Sequence, residues 1–225
     1  MEPQNPIKST GKRKPVGDIK FQITLNDEQK EAKRLILEND VIVVKGQAGS
    51  GKTLIACQVA LDMLFKRDVE RIVICRPAIS KEEIGFLPGS ANDKLQPYMQ
   101  PVLDNFYKLY NKEKIDALIV DRKIEIVPFA FMRGHTFTNT FIIADEAQNL
   151  SFEFMELILG RLGLGSKLVI CGDASQIDLK NKKDSGIHYV TALEARVPGF
   201  KIFTLKKNHR HPIVAKLLEV IQELK

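Results

Sequence analysis

Val41-Ile42-Val43-Val44-Lys45-Gly46-Gln47-Ala48-Gly49-Ser50-Gly51-Lys52-Thr53-Leu54 is the stretch from which the rest of the chain can be read. Its first four residues are β-branched and apolar on both faces, as a strand covered by helices on both sides must be. Glycines follow at once, and Gly46 to Thr53 satisfies G-x-x-x-x-G-K-[ST] in full. Glycines let the backbone turn tightly, so that several N–H groups can converge on phosphate oxygens. The amphipathic helix predicted over Lys52 to Phe65 would add its positive N-terminal end. The expected nucleotide-binding set is therefore Gly46, Gln47, Ala48, Gly49, Ser50, Gly51, Lys52, Thr53 and Leu54. Lys52 is expected to reach the β- and γ-phosphates and the Thr53 hydroxyl to ligate Mg²⁺, which makes ATP and Mg²⁺ the expected cofactors. A chance match in a glycine-rich turn would not need a buried strand before it and a helix after it.

Outward from this stretch, short β-branched runs alternate with helical patterns. Arg71 to Cys75, Phe141 to Ala144 and Lys167 to Cys171 repeat the character of the first strand, and Ile124 to Val127 and Lys201 to Leu205 are weaker strands. Helices are predicted over Asn92 to Tyr110 and Ser151 to Leu162, near Asn26, and after Pro212, since proline suits a first helical turn. Gly85 to Pro101, with three prolines and two glycines, reads as an irregular excursion, and the polar stretch Gly172 to His188 as loop and turn. The alternation predicts an α/β fold: a three-layer P-loop NTPase with a mostly parallel sheet, helices on both faces and ligands at the carboxyl ends of the strands. Residues 1–20, with Lys8, Lys12, Arg13 and Lys14, read as a flexible basic arm, and residues 21–225 as a single domain.

Composition narrows the class. At 225 residues, 44% hydrophobic and 28% charged, the chain reads as globular. No run approaches the ~18 apolar residues of a membrane helix, and Met1 to Asp18 has no signal-like apolar core, so no membrane partner and a cytoplasmic location are expected. A net charge of +6 and a pI near 9.1 suit an anionic partner, or serve solubility alone. Cys57, Cys75 and Cys171 sit in apolar stretches without metal-ligand spacing and are expected as buried free thiols.

The run Phe141-Ile142-Ile143-Ala144 ends in Asp145-Glu146. Two carboxylates after a buried apolar strand are hard to explain as packing, because a buried charge needs a partner. Asp145 is the expected Mg²⁺ partner and Glu146 the general base that polarises an attacking water; a solvated strand end is the plainer alternative. A glutamate here favours hydrolysis over transfer to a metabolite. The Lys167 to Cys171 run ends in Gly172-Asp173-Ala174-Ser175-Gln176. If that strand lies beside the Asp145 strand, Gln176 can contact the γ-phosphate or the attacking water; otherwise the stretch is a polar turn.

Taken in order, GQAGSGKT (46–53), ADEAQ (144–148) and GDASQ (172–176) resemble the first motor domain of superfamily 1 helicases. Within that group, RPAISKEEIGFLPGSANDKLQPYMQP (76–101) and PFAFMRGHTF (128–137) make the chain most similar to PhoH-like ATPases, from about Phe21 to the end. The resemblance implies a RecA/helicase-like sheet and further roles. Gln29 would hydrogen-bond the adenine edge, although a capped helix starting near Asn26 explains it equally, and both can hold. Arg76 and Pro77 would touch single-stranded nucleic acid; Arg133, followed by Gly134, would bind a phosphate or hold a carboxylate. A structural ion pair accounts for either arginine as well. His135 is given no role. Leu205 to Arg210 resembles the segment whose arginine reaches the γ-phosphate from a second motor domain. Only about one helix follows here, so Arg210 is expected to act in cis or on a neighbouring subunit. The trans arrangement implies a homo-oligomer, with a hexameric ring as one form of it.

The catalytic set expected from residues and resemblance together is Lys52, Glu146, Gln176 and Arg210. The leading function is an ATPase coupled to single-stranded nucleic acid, RNA ahead of DNA, as helicase or remodeller. Lys81 and Lys94 join Arg76 as candidate phosphate contacts. The sequence has no Trp and only 7% aromatics, so a base-stacking platform is not evident. A P-loop kinase or phosphotransferase and a nucleotide-gated switch with little turnover are the alternatives; Asp145-Glu146 argues against both. Nothing points to a nuclease.

Overall fold

The structure, a computed structural model, describes residues 19–77, 91–134, 136–209 and 212–223. In chain order the elements are α1 (Asp27–Glu38), β1 (Val41–Gly46), α2 (Lys52–Phe65), β2 (Arg71–Arg76), α3 (Ala91–Leu109), α4 (Lys112–Val120), β3 (Ile124–Pro128), β4 (Thr140–Ala144), α5 (Phe152–Leu159), β5 (Lys167–Gly172), α6 (Ile187–Val190), β6 (Phe200–Leu205) and α7 (Pro212–Glu223). The six strands form one sheet in the order β3-β2-β4-β5-β1-β6. Every pairing among them is parallel. The predicted α/β fold is the fold observed.

Strand alternation divides the core into two layers. Ile42, Val44, Ile72, Ile74, Phe141, Ile143 and Val169 face one side, where α1 to α4 cover them. Val43, Val73, Ile142, Leu168 and Ile170 face the other, against α5, α6 and the 3-10 turn Phe129–Met132. A parallel sheet has no wet face, so both layers must be apolar. The three cysteines are free and buried within these layers, and burial pushes their thiols well above the ordinary range.

Two expectations are corrected. The α2 helix is not amphipathic: every residue from Ile55 to Leu64 is buried, because α2 lies between the sheet and helices α1 and α3. The sequence offers two overlapping readings of 92–101, a helix from Asn92 and an irregular excursion ending at Pro101; the helix is the one observed, α3 running from Ala91 to Leu109 with prolines at 97 and 101 inside it, each of which removes one backbone N–H from the helix. Helix α4, with Asn111 as its N-cap, has no counterpart in the sequence reading, and neither does the short α6, which begins in the last two residues of the predicted loop. The start of α1 is as expected: Asn26 and Gln29 form a reciprocal capping box. The basic arm to residue 18, Lys81, His135 and Arg210 lie outside the described residues.

α1 and α2 are tied by a buried carboxylate. Asp62 accepts from Lys33 at 2.9 Å and pairs with Lys66 at 3.0 Å. Burial works to raise the Asp62 carboxyl, but the two ammonium groups outweigh it and hold the group below its ordinary 3.8. A carboxyl depressed in the folded state gives stability that is complete above that range and is lost as pH falls through the folded value. Asp62→Asn is therefore expected to cost about 1 kcal/mol at neutral pH, both lysines being partly solvated. Urea unfolding at a series of pH values should show the gap to wild type closing on acidification below 3.8; a gap independent of pH would refute the assignment.

Candidate functional site

The site lies at the carboxyl ends of the strands. A cavity of about 250 Å³ is lined by Ala48, Gly49, Gly51, Lys52, Thr53, Leu54, Asn105, Asp145, Glu146, Asp173 and Gln176. A larger depression of about 700 Å³ lies at the opposite ends of the strands, around Asp40, Thr138 and Lys167, and gathers no comparable set of acidic and P-loop groups. Gly49 and Gly51 hold φ of +89° and +90°, in the left-handed region that favours glycine. A Cβ on Gly51 would also stand 2.9 Å from Gln29 Nε2. As the N-cap of α2, Gly51 offers no side-chain oxygen, so the first-turn N–H groups remain available to an anion.

Lys52 Nζ donates to the Gly46 and Gln47 carbonyls at 2.6 and 3.1 Å. Ser50 is buried beneath the loop, and its N–H donates to the Gln47 carbonyl at 3.1 Å. The Thr53 hydroxyl donates to Asp145 Oδ1 at 2.7 Å, which brings the ends of β1 and β4 to one point. β5 lies between those strands, so Gln176 beyond its end opens onto the same cavity, as the sequence argument required.

Strand alternation would send Asp145 and Glu146 to opposite faces. Glu146 instead adopts φ 53°, ψ 37°, a left-handed conformation that costs a non-glycine residue about 1–2 kcal/mol. That turn brings both carboxylates to the cavity. Burial pushes the Asp145 carboxyl above its ordinary value, against the pull of Arg76 and the Thr53 hydroxyl. Arg76 reaches Asp145 Oδ2 at 3.2 Å and Glu146 Oε1 at 3.8 Å, with its side chain only 14% exposed. Arg76 thus faces the carboxylates; the plainer reading of it, a structural ion pair, is the contact observed. Pro77 follows it at the end of β2, and Arg133 is exposed beyond the Phe129–Met132 turn.

Several residues here carry no role in the sequence reading. Gln148, buried in the 3-10 turn Ala147–Asn149, donates to Glu146 Oε2 at 2.7 Å and accepts from the Asp173 N–H at 3.0 Å. Asp173 in turn accepts from the Ala48 N–H at 3.0 Å and from the Ser175 hydroxyl at 2.6 Å. Both stand inside quoted motifs, so motif membership was their only signal. The segment after β6 clasps the loop: the His209 N–H donates to Gly49 O at 3.1 Å and the Asn208 amide to Ala48 O at 3.3 Å. His209 Nε2 lies 3.1 Å from Asn26 Nδ2 and 3.3 Å from Gln29 Nε2. Both amide nitrogens face that one ring nitrogen, the arrangement of two donors around an acceptor. Gln29 is buried between this ring and the helix cap and does not line the phosphate cavity.

Thr53 Oγ1 and the Asp145 carboxylate are hard oxygen donors of the kind Mg²⁺ prefers. Among the described residues no cluster of three His, Cys, Asp or Glu could cage a metal ion. Any Mg²⁺ at this point would thus be completed by phosphate oxygens and water.

A glycine-bent phosphate loop entering a helix, opposed by acidic groups at the end of the parallel strand one place removed in the sheet, defines a P-loop NTPase. The sequence matches the PhoH-like protein family over residues 23–222. It is 37% identical over 197 residues to a PhoH-like protein of Synechocystis sp., covering 86% of this chain and 60% of that protein. It is 34% identical over 184 residues to Protein PhoH of Escherichia coli K12, covering 80% of this chain and 52% of that protein. The chain belongs to the PhoH-like family, and it spans between half and two thirds of the length of these relatives. The large terminase from a thermophilic bacteriophage is similar in fold, with a TM-score of 0.51 at 12% identity over 88% of this chain and 50% of that one. Among the described residues no helix is long and apolar enough to cross a membrane.

Proposed function

We propose that this chain is an Mg²⁺-dependent ATPase whose turnover is coupled to single-stranded nucleic acid, RNA ahead of DNA. The observation that carries this reading is the 2.7 Å bond between Thr53 and Asp145, with Glu146 beside it on the same cavity. The P-loop N–H groups and Lys52 would hold the β- and γ-phosphates. To reach them, the Lys52 ammonium would exchange the Gly46 and Gln47 carbonyls for phosphate oxygens. Thr53 and Asp145 would hold Mg²⁺, which when bound neutralises charge on the phosphates. Glu146, oriented by Gln148, would take the proton of the attacking water, and Gln176 would orient that water or touch the γ-phosphate. Arg76 keeps the two carboxylates from repelling each other. Gln29 and His209 stand together on the outer side of Gly51, where an adenine edge could meet them.

Coupling to a strand is supported by the net charge of +6 and by the family resemblance. Helicase or remodelling activity, cytoplasmic location and a homo-oligomer, up to a hexameric ring with Arg210 acting in trans, belong to the same proposal. Mixing Arg210→Ala with Lys52→Ala subunits separates cis from trans: recovered activity means trans. A kinase or a slow nucleotide switch is the competing reading. The deciding experiment measures phosphate release from ATP with and without oligo(U) or oligo(dT), alongside molecular mass in solution. Stimulated release is expected; labelled phosphate appearing on a metabolite, or no release, would reject the proposal.

A further inference from the structure

The turn that carries Glu146 is held from outside the nucleotide cavity by one surface loop. Asn149 and Asp178 pair reciprocally: the Asn149 amide donates to Asp178 Oδ2 at 3.3 Å and the Asp178 N–H donates to Asn149 Oδ1 at 2.7 Å. At the loop's other end the buried Ser185 hydroxyl donates to the Gln148 carbonyl at 2.6 Å, and the Gly186 N–H to the Leu150 carbonyl at 2.8 Å. Ser151 and Ser185 form an antiparallel bridge. Gly186 is tight against α5, since a Cβ there would stand 2.5 Å from Met155 Cβ. Both ends of residues 178–185 are therefore fixed to residues 148–151, and a displacement of the loop must act on the strut from Gln148 to Glu146.

Between those anchors Lys180, Lys182 and Lys183 are exposed, and none of them pairs with a carboxylate among the described residues. The loop's own acidic groups are already engaged, Asp178 by Asn149 and Asp184 by the Asn181 amide at 2.8 Å. Beside the anchored end stand two aromatic rings, Phe152 at 44% and Tyr189 at 52% exposure, with centroids 4.7 Å apart and planes tilted by 59°. Neither ring is needed for packing: α5 buries Met155 and Ile158, and α6 buries Ile187 and Val190. Single exposed rings are ordinary, but a contacting pair next to three unpaired lysines is not. Lysines that neutralise backbone phosphates, interleaved with rings on which bases stack, are the chemistry of single-strand binding.

We infer that the loop bearing Lys180, Lys182 and Lys183, with the Phe152–Tyr189 ring pair, is a docking surface for a single-stranded polynucleotide, and that its anchors to residues 148–151 transmit docking to Glu146. This deepens the proposed function and rests on it for the transmission step; the binding step stands without hydrolysis. It also supplies the stacking platform that the aromatic content did not suggest.

The test titrates labelled oligo(U) and oligo(dT) by fluorescence anisotropy at several salt concentrations, using the full chain. The triple variant Lys180→Ala/Lys182→Ala/Lys183→Ala is expected to bind at least tenfold more weakly, and the slope of log affinity against log salt should fall by about 2, from 0.7 per lost phosphate contact. Phe152→Ala/Tyr189→Ala should weaken binding by about 5- to 150-fold with the slope unchanged, as loss of stacking does. Both variants should keep basal ATPase activity and lose strand stimulation, while Asn149→Ala should bind normally and be stimulated less. Wild-type affinity and slope in the triple variant would overturn the surface, as would wild-type protein that binds neither oligonucleotide. Retained oligonucleotide binding with loss of self-association would also overturn it, marking a protein contact. Weakened binding in both surface variants of a protein that hydrolyses nothing would keep the surface and reject the ATPase reading. The stronger of the two oligonucleotide arms identifies RNA or DNA.

Discussion

Glu146→Gln is expected to lower ATP turnover by about 10²–10⁴, the usual contribution of a positioned general base. The substitution is conservative in shape. A glutamine at this position still presents an oxygen to the Gln148 amide, which now donates to Glu146 Oε2 at 2.7 Å, and it leaves the left-handed turn unaltered. What is lost is the ability to accept a proton from water in the transition state. The loss should therefore fall on kcat, with KM and equilibrium nucleotide affinity within a fewfold of wild type. The Arg76–Glu146 contact is 3.8 Å long and its carboxylate is 46% exposed, so stability should change little. Steady-state phosphate release paired with nucleotide titration separates these outcomes. Turnover within a few-fold of wild type would remove Glu146 from the chemistry.

Lys52→Ala acts earlier, on binding. The ammonium is held by the Gly46 and Gln47 carbonyls at 2.6 and 3.1 Å. Removing it from the protein without nucleotide gives up partly solvated bonds, about 1 kcal/mol or less. With nucleotide present, the same group would make charge-assisted bonds worth about 1.5–3 kcal/mol, so affinity should fall about 10- to 150-fold. Turnover should fall further, since the charge that builds on the phosphates loses its donor, by another ~10²–10³. Thermal unfolding gives an independent readout. Wild type at a hundred times its Kd should gain about 2.7 kcal/mol from ligand, and the variant at the same concentration far less. Equal ligand-induced stabilisation in the two proteins would show that Lys52 does not touch the phosphates.

The aromatic pair and the anchored lysine loop alter how coupling is to be understood. Arg76, the arginine that the family resemblance directs toward nucleic acid, lies against Asp145 and Glu146. The surface inferred here for a strand lies instead at Lys180, Lys182 and Lys183, exposed beyond the Gly172 to Gln176 motif. The nucleotide cavity and the loop are joined by the turn from Glu146 to Asn149 and, along the chain, by the step from Gln176 to Asp178. A strand held on the loop and a nucleotide held in the cavity would both act on that turn, which gives coupling a short structural path.

The elements, and the reactive groups that sit at their ends, follow from local sequence. β1, β2, β4 and β5 are continuous apolar runs that only a covered parallel sheet can accommodate, and their positions follow from that. The P-loop is equally local, because glycines at 49 and 51 and a helix starting at Lys52 fix the loop's shape within a few residues. What those ends meet depends on the assembled sheet. Apolar runs state which faces are buried, not which strand is the neighbour, so the place of β5 between β4 and β1 had to come from the fold. The same holds for Asp173 on the Ala48 amide, Asn105 from α3 in the cavity wall, and Asn208 and His209 on the loop backbone. These contacts join residues far apart in the chain through polar groups, and polar groups leave no periodicity to read. The left-handed Glu146 falls between the two cases: its identity was legible, but the backbone turn that brings it beside Asp145 is enforced by packing around the turn, against its own local preference.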